Sequence, residues 1–387
     1  MGMDVRCDSG EFVEPPGPDV AFDAEERSLR LRYRRKVQWA TGHASSVSWS
    51  QGVCDAAPER LSLDFTPVSD THPFSPGLRP EASFDSSVLS IKRLSMVSSR
   101  TELRTLLEPF VADFESWLEG QSAQSVPSEH EQARDEVLAD LNLQKERLRH
   151  GVEVLCSADQ KHVFESFRLA NHAMLLQMER GAIRSGRPFN SDLPTWRPFQ
   201  LAFQLLSIPG SISDEEASGC DLVDLIWFPT GGGKTEAYLL LAAFVIIHRR
   251  FEHGVRGEGT CVLSRYTLRL LTNQQFDRTA TLTCALEHMR RDGLVPGESP
   301  IEIGLWIGGG SDSAPNSLRQ ASEMVDKMLE EDRPLNRFML NKCPWCDEPI
   351  VPDRRAPVSS YGVTFTNNRL VLSCPCSECA FHEVLPI

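Results

Sequence analysis

The sequence predicts an α/β protein: a parallel sheet carrying a glycine-rich phosphate loop, with a zinc ribbon inserted and a mixed, largely helical domain in front. Three observations predict it. From residue 222 onward, short apolar runs alternate with longer stretches of helical periodicity, the pattern of strands buried between helices. One of these runs, DLIWFPTGGGKT at 224–235, passes through three glycines into a helix. Five of the eleven cysteines fall between Cys343 and Cys379, grouped as CPWC and CPCSEC.

Residues 1–25, rich in Pro, Gly and acidic side chains, read as a poorly ordered N-terminus. In RSLRLRYRRKVQW, Leu29, Leu31, Tyr33, Val37 and Trp39 alternate with basic residues. That period of two predicts a strand with a cationic face, which would either meet nucleic acid or protect a sheet edge from aggregation. The region 26–100 is therefore expected to be small strands and loops. From Thr101, apolar residues Leu103, Leu106, Leu107, Phe110, Val111, Phe114, Trp117 and Leu118 recur at helical spacing, with Pro109 expected to kink the helix. Helices over 129–150 and 159–181 complete a helical region, 101–187. The Pro- and Gly-dense RSGRPFNSDLPTWRPF then marks a boundary. Beyond it, strands are expected over 222–228, 259–266 and 301–307. Helices are expected over 235–250, up to about 291, and over 317–331. The stretch 188–387 thus reads as one α/β domain, with the ribbon at about 340–382.

An apolar share of 41% and a charged share of 24% are those of a globular protein. The strongest apolar run, 238–247, is far shorter than the roughly 20 residues a membrane span requires. The first residues lack the apolar core of a secretory signal. Cysteines grouped for a metal rather than spread as disulfides point to a reducing cytoplasm. A net charge of −14 excludes indiscriminate coating of nucleic acid while leaving room for a local basic groove.

The loop residues have the chemistry that phosphate binding requires. Gly231, Gly232 and Gly233 lack Cβ, so the backbone can approach an anion closely. The start of the following helix adds N–H groups aimed at the same place. Lys234 supplies a point charge for the β- and γ-phosphates, and Thr235 a hydroxyl for Mg²⁺. Pro229 and Thr230 complete the turn. Phe228 stands where the strict G-x-x-x-x-G-K-[ST] pattern has its first glycine. Downstream, Arg265, Thr267 and Arg269 sit near a helix start and are donors suited to nucleic-acid phosphates. In the C-terminal cluster, YGVTFTNNRLVLS reads as a β-hairpin turning at Asn367–Asn368, between two knuckles that together offer thiolates to one Zn²⁺. Cys343, Cys346 and Cys379 are expected ligands. The fourth is Cys374 or Cys376, since the spacing allows both. A closed four-sulfur site is structural rather than catalytic.

These motifs resemble those of superfamily 2 helicases, whose motif I has the form PTGxGKT. They resemble in particular the helicase component of the DISARM anti-phage system, the DrmA type. LIWFPTGGGKTEAYLLLAAF, SRYTLRLLTNQQFDR, IGLWIGGGSDSAPN and CPWC…CPCSEC carry the resemblance, joined upstream by FRLANHAMLLQ and WRPFQLAF. It implies a RecA-like motor domain, an ATP-dependent DNA helicase or translocase, and partnership with other components of the defence system. It also implies that a glutamine ahead of motif I reads adenine, with Gln200 chosen over Gln204, and that Cys374 is the fourth zinc ligand. Motif II, an apolar strand ending in Asp-Glu, does not follow Lys234. FHEVLPI is the last stretch that could precede it, and a second motor half would be encoded downstream. Weak ATP binding with negligible hydrolysis is therefore expected of this chain. Two other readings compete. One is an unrelated nucleotide-binding enzyme with its catalytic acid elsewhere. The other is a nucleic-acid- or protein-binding module, with the zinc hairpin as its working part and a vestigial loop.

Overall fold

The computed structural model describes all residues except 1–2, 10, 14–22, 35–36, 38, 41–44, 50–56, 65–76, 213–220, 229–230, 266–268, 307–314, 316 and 367. The chain divides into two compact units. The first comprises 1–75 and 114–145, the second 76–113 and 146–387.

In the first unit, β1 (Met3–Arg6), β2 (Ser46–Trp49) and β3 (Arg60–Asp64) form an antiparallel sheet in the order β1-β3-β2. Leu61 is paired to Val5 on one side and to Trp49 on the other, and its side chain is buried. The first part of the basic segment expected to be a strand is instead in helix α1 (Ala24–Tyr33), and part of its remainder, at 35–36 and 38, lies outside the described residues. The ends of the helix explain why. Asp23 caps it by accepting a hydrogen bond from the Glu26 N–H, Glu25 and Glu26 sit in the first turn, and Arg30 and Arg32 sit in the last. Each of these favours a helix through its dipole and its unpaired end groups. Arg27 on this helix pairs with Glu136 at 2.9 Å. The alternation of leucine with arginine was compatible with either period over so short a window.

The second unit is built on helices. These are α2 (Ile91–Met96), parts of α3 (Arg100–Ser122) and α4 (Glu131–Cys156), then α5 (Val163–Arg184), α6 (Pro198–Ile212), α7 (Lys234–His253), α8 (Arg269–Arg291) and α9 (Leu318–Glu330). Helix α3 runs through Pro109. α5 is the hub and packs against α2, α7 and α8, while α6 lies on α7. The apolar stripe of α7, with Ala237, Leu240, Phe244 and Ile247 fully buried, is what seats it there. Residues 194–196 are tied to the start of α2: the Trp196 N–H donates to the Leu89 carbonyl at 2.7 Å, and the Trp196 indole donates to Asn171 at 2.8 Å. This fixes the direction in which α6 begins. The second sheet is the antiparallel hairpin β4 (Val363–Thr366) and β5 (Arg369–Leu372), against which α9 packs. Asn368 adopts φ 59° in its turn, a left-handed conformation that asparagine tolerates.

The architecture is thus mixed, helices with small antiparallel sheets. Among the described residues, the expected strands at 222–228, 259–265 and 301–306 run without strand pairing, so no parallel sheet is formed. Several of their apolar side chains stand in solvent, Val223 being 95% exposed, Leu225 85%, Leu263 75% and Trp306 98%, while Ile301 is buried. An apolar run signals that a segment is suited to burial, but a strand also requires a neighbour, which local sequence does not provide. The 301–306 segment has one such contact, as the Ile303 N–H donates to the Pro386 carbonyl at 3.0 Å. No helix among the described residues is long and apolar enough to cross a membrane.

Candidate functional site

The glycine turn lies at the N-terminus of α7, as the sequence required. Gly231 and Gly233 have φ of 81° and 84°, a region that side chains with a Cβ avoid. Gly233 is the N-cap of α7 and makes no side-chain cap hydrogen bond there. Lys234 folds back so that its ammonium donates to the Phe228 carbonyl. The Tyr238 hydroxyl donates to Thr235 Oγ1 at 3.1 Å, and Phe228 stacks on Phe199 of α6 at 4.0 Å between centroids. The segment leading into the loop is anchored by Asp224, which accepts from Arg147 at 2.8 and 3.0 Å and from Ser207 at 3.1 Å.

Helix α6 reaches the loop with two side chains. Arg197 donates to the Gly232 carbonyl, and Gln200 Nε2 donates to the Gly233 carbonyl at 2.6 Å. Gln200 Oε1 in turn accepts from the Arg197 backbone N–H at 2.7 Å, so both ends of this buried amide are engaged within the protein. Sequence reasoning chose Gln200 but passed over Arg197, which lies three residues before it. The contact spans more than thirty residues of chain, and only an arginine beside a helix-initiating proline hinted at it. Pro229, Thr230 and Thr267 lie outside the described residues, as do the glycines at 308–310. Arg265 is exposed, and Arg269 is the first residue of α8.

The second candidate is the cysteine cluster. Cys343, Cys346, Cys374 and Cys379 bring their sulfurs within 4.8 Å of one another, and Cys376 is not among them. Two contacts, Cys346–Cys374 at 3.3 Å and Cys343–Cys379 at 3.9 Å, bracket the roughly 3.8 Å that tetrahedral Zn–S bonds of about 2.3 Å imply. The donor set therefore fits a zinc ion held in a closed, structural site. The knuckles are shaped by backbone bonds: Asp347 N–H to Cys343 O at 3.0 Å, Cys343 N–H to Glu348 O at 2.8 Å and Cys379 N–H to Cys376 O at 3.1 Å. Asp347 turns the first knuckle at φ 69°, and its carboxylate accepts from Lys342 at 2.5 Å and from Arg184 at 3.3 Å. His382, not a member of the cluster, places its ring nitrogen Nδ1 2.8 Å from the Cys374 carbonyl and so steadies the second knuckle. The hydrogen bond from Cys343 holds the Cys379 thiol below the usual cysteine range, the direction that favours a metal-binding thiolate.

Trp345, between the first two cysteines, was not singled out in the sequence. It is buried against Arg180 of α5, whose guanidinium lies 4.1 Å from its ring centroid, and against His288 of α8 and Phe381. The knuckle is thereby packed onto the helices that carry α7. Its residues share one apolar cluster with Cys284 and Ala285 of α8 and Val325 and Met328 of α9.

A lysine-bearing glycine turn at a helix start and a cluster of four cysteines that could hold a metal ion are carried on one helical core. No family model matches the chain. Over 357 residues, 86% of its length, it is 31% identical to the DISARM protein DrmA of Bacillus paralicheniformis, and the matched stretch is 31% of that protein. The chain thus spans about a third of the curated relative it matches, and the similarity supports a DrmA-type DISARM component.

Proposed function

We propose that this chain is the nucleotide-binding portion of an anti-phage DISARM helicase or translocase, and that its glycine loop holds the triphosphate of ATP. The observation that carries the reading is the loop itself: two positive-φ glycines lead into a helix start whose N-cap glycine offers no side-chain cap, with the Lys234 ammonium donating to the nearby Phe228 carbonyl. When a triphosphate enters, Lys234 exchanges the Phe228 carbonyl for the β- and γ-phosphate oxygens, while N–H groups of the α7 start meet the same anion. The Thr235 hydroxyl is the group that would meet Mg²⁺, which neutralises phosphate charge when bound. In the complete protein, the exposed apolar segments at 222–228, 259–265 and 301–306 become strands of a covered parallel sheet. Arg265, Thr267 and Arg269, at the end of the second segment, contact a DNA backbone there. The cysteine cluster holds zinc and fixes the ribbon to α5 and α8.

These residues bind and orient but include no assigned group to activate water, so binding without appreciable hydrolysis is the outcome for this chain. Titration calorimetry with Mg-ATP on the full 387-residue chain tests it. Heat that disappears in Lys234→Ala supports the reading. Absence of heat from the unsubstituted chain overturns it, and robust DNA-stimulated phosphate release by the chain alone overturns the expectation of binding without hydrolysis.

A further inference from the structure

We infer that Arg197 and Gln200 are positioning residues for the phosphate loop, and that Gln200 serves binding of the polyphosphate tail rather than recognition of the base. The inference rests on the nucleotide reading above and specifies how that site selects its ligand.

The argument begins with peptide geometry. The Gly232 carbonyl shares its planar peptide unit with the Gly233 N–H, and the Gly233 carbonyl shares one with the Lys234 N–H. There are no cis peptide bonds among the described residues. In a trans peptide, C=O and N–H point in opposite directions. Arg197 and Gln200 draw both carbonyls toward α6. The Gly233 and Lys234 N–H groups are therefore turned away from α6, toward the open side of the loop. Two successive N–H groups presented in that way, at a helix start with φ of 84° at Gly233, form an anion cradle. Without the two side chains, the glycines have no reason to keep that orientation, since glycine populates many conformations with similar ease.

The fit at this corner is close. A Cβ added at Gly233 would lie 2.8 Å from Gln200 Nε2, so the amide occupies the space a side chain would fill. Gln200 is 4% exposed, its Nε2 donates to the Gly233 carbonyl and its Oε1 accepts from the Arg197 N–H, so reading a base would fall to the one N–H and one lone pair left on a buried amide already held against the loop.

The test uses two ligands on the full chain: Mg-ATP and inorganic tripolyphosphate with Mg²⁺, which has the tail but no base. Arg197→Ala, Gln200→Ala and Gln200→Glu should each weaken both ligands by the same factor, about 10-fold, the scale of one hydrogen bond to a charged or preorganised group. Arg197→Lys should recover part of the loss, because an ammonium can still donate to the Gly232 carbonyl. Melting curves establish that each variant is folded. A Gln200 variant that weakens ATP but leaves tripolyphosphate unchanged would overturn the inference in favour of base reading. Unchanged affinity for both ligands would overturn it as well. Failure of the unsubstituted chain to bind either ligand would instead remove the nucleotide reading on which it depends.

Discussion

Replacing Glu287 by glutamine should destabilise the fold by about 3 kcal/mol near neutral pH, the scale for removing one partner of a buried ion pair. Glu287 lies on α8 and is 1% exposed. Its carboxylate accepts from Arg290 at 2.8 and 2.8 Å, from Arg291 at 3.0 Å and from the Ile301 backbone N–H at 2.9 Å. It therefore ties α8 to the start of the 301–306 segment. Burial disfavours its charge, but the bonds from Arg290, Ile301 and Arg291 outweigh that and hold its pKa below the usual glutamate range. Glutamine keeps the shape but cannot accept all four bonds, and it leaves guanidinium groups without their counter-charge. The sign of the pH dependence follows from linkage. A carboxylate whose folded pKa is depressed contributes stability above its unfolded pKa of about 4.3, and that contribution is lost as pH falls through the folded value. The difference between wild type and Glu287→Gln should therefore be full at pH 6–7 and shrink below about pH 4. Urea denaturation across that range measures it. A variant within about 0.5 kcal/mol of wild type at neutral pH, the size of an ordinary surface change, would refute the reasoning, as would a difference that grows on acidification.

Three further outcomes are expected. Trp345→Ala should cost about 3–5 kcal/mol in denaturant melts through lost packing on Arg180, His288 and Phe381, while elemental analysis still finds one zinc per chain. Cys374→Ser should release zinc to a chelator far more readily than wild type, whereas Cys376→Ser should not, because only Cys374 joins the other three sulfurs. Gly233→Ala should cost about 1–2 kcal/mol for its left-handed backbone and should also weaken Mg-ATP binding by displacing Gln200, with calorimetry as the check.

Much of the helical scaffold was legible in the sequence. The stripes that became α3, α5, α7 and α8 recur at helical spacing, and a long window leaves little ambiguity in period. The hairpin of β4 and β5 was legible from its alternation and from Asn368 between the strands, and the first knuckle was legible from CPWC. The start of the basic segment, 27–33, was not: its window was short, and Asp23 as a cap and the placement of its charges decided in favour of a helix. The three apolar segments between the helices were recognised as material for burial, but their pairing depends on neighbours distant in the chain.

Sequence alone determined the chemical vocabulary of this protein: three glycines and a lysine at a helix start, and cysteines in pairs. Local spacing suffices for these because each motif acts within a few residues of itself. Tertiary structure decided which groups meet. It placed Cys374 rather than Cys376 among the sulfurs, laid Trp345 between α5 and α8, and committed both ends of the Gln200 amide to protein partners. Those choices arise from packing between segments tens of residues apart, where only the folded backbone sets the distance.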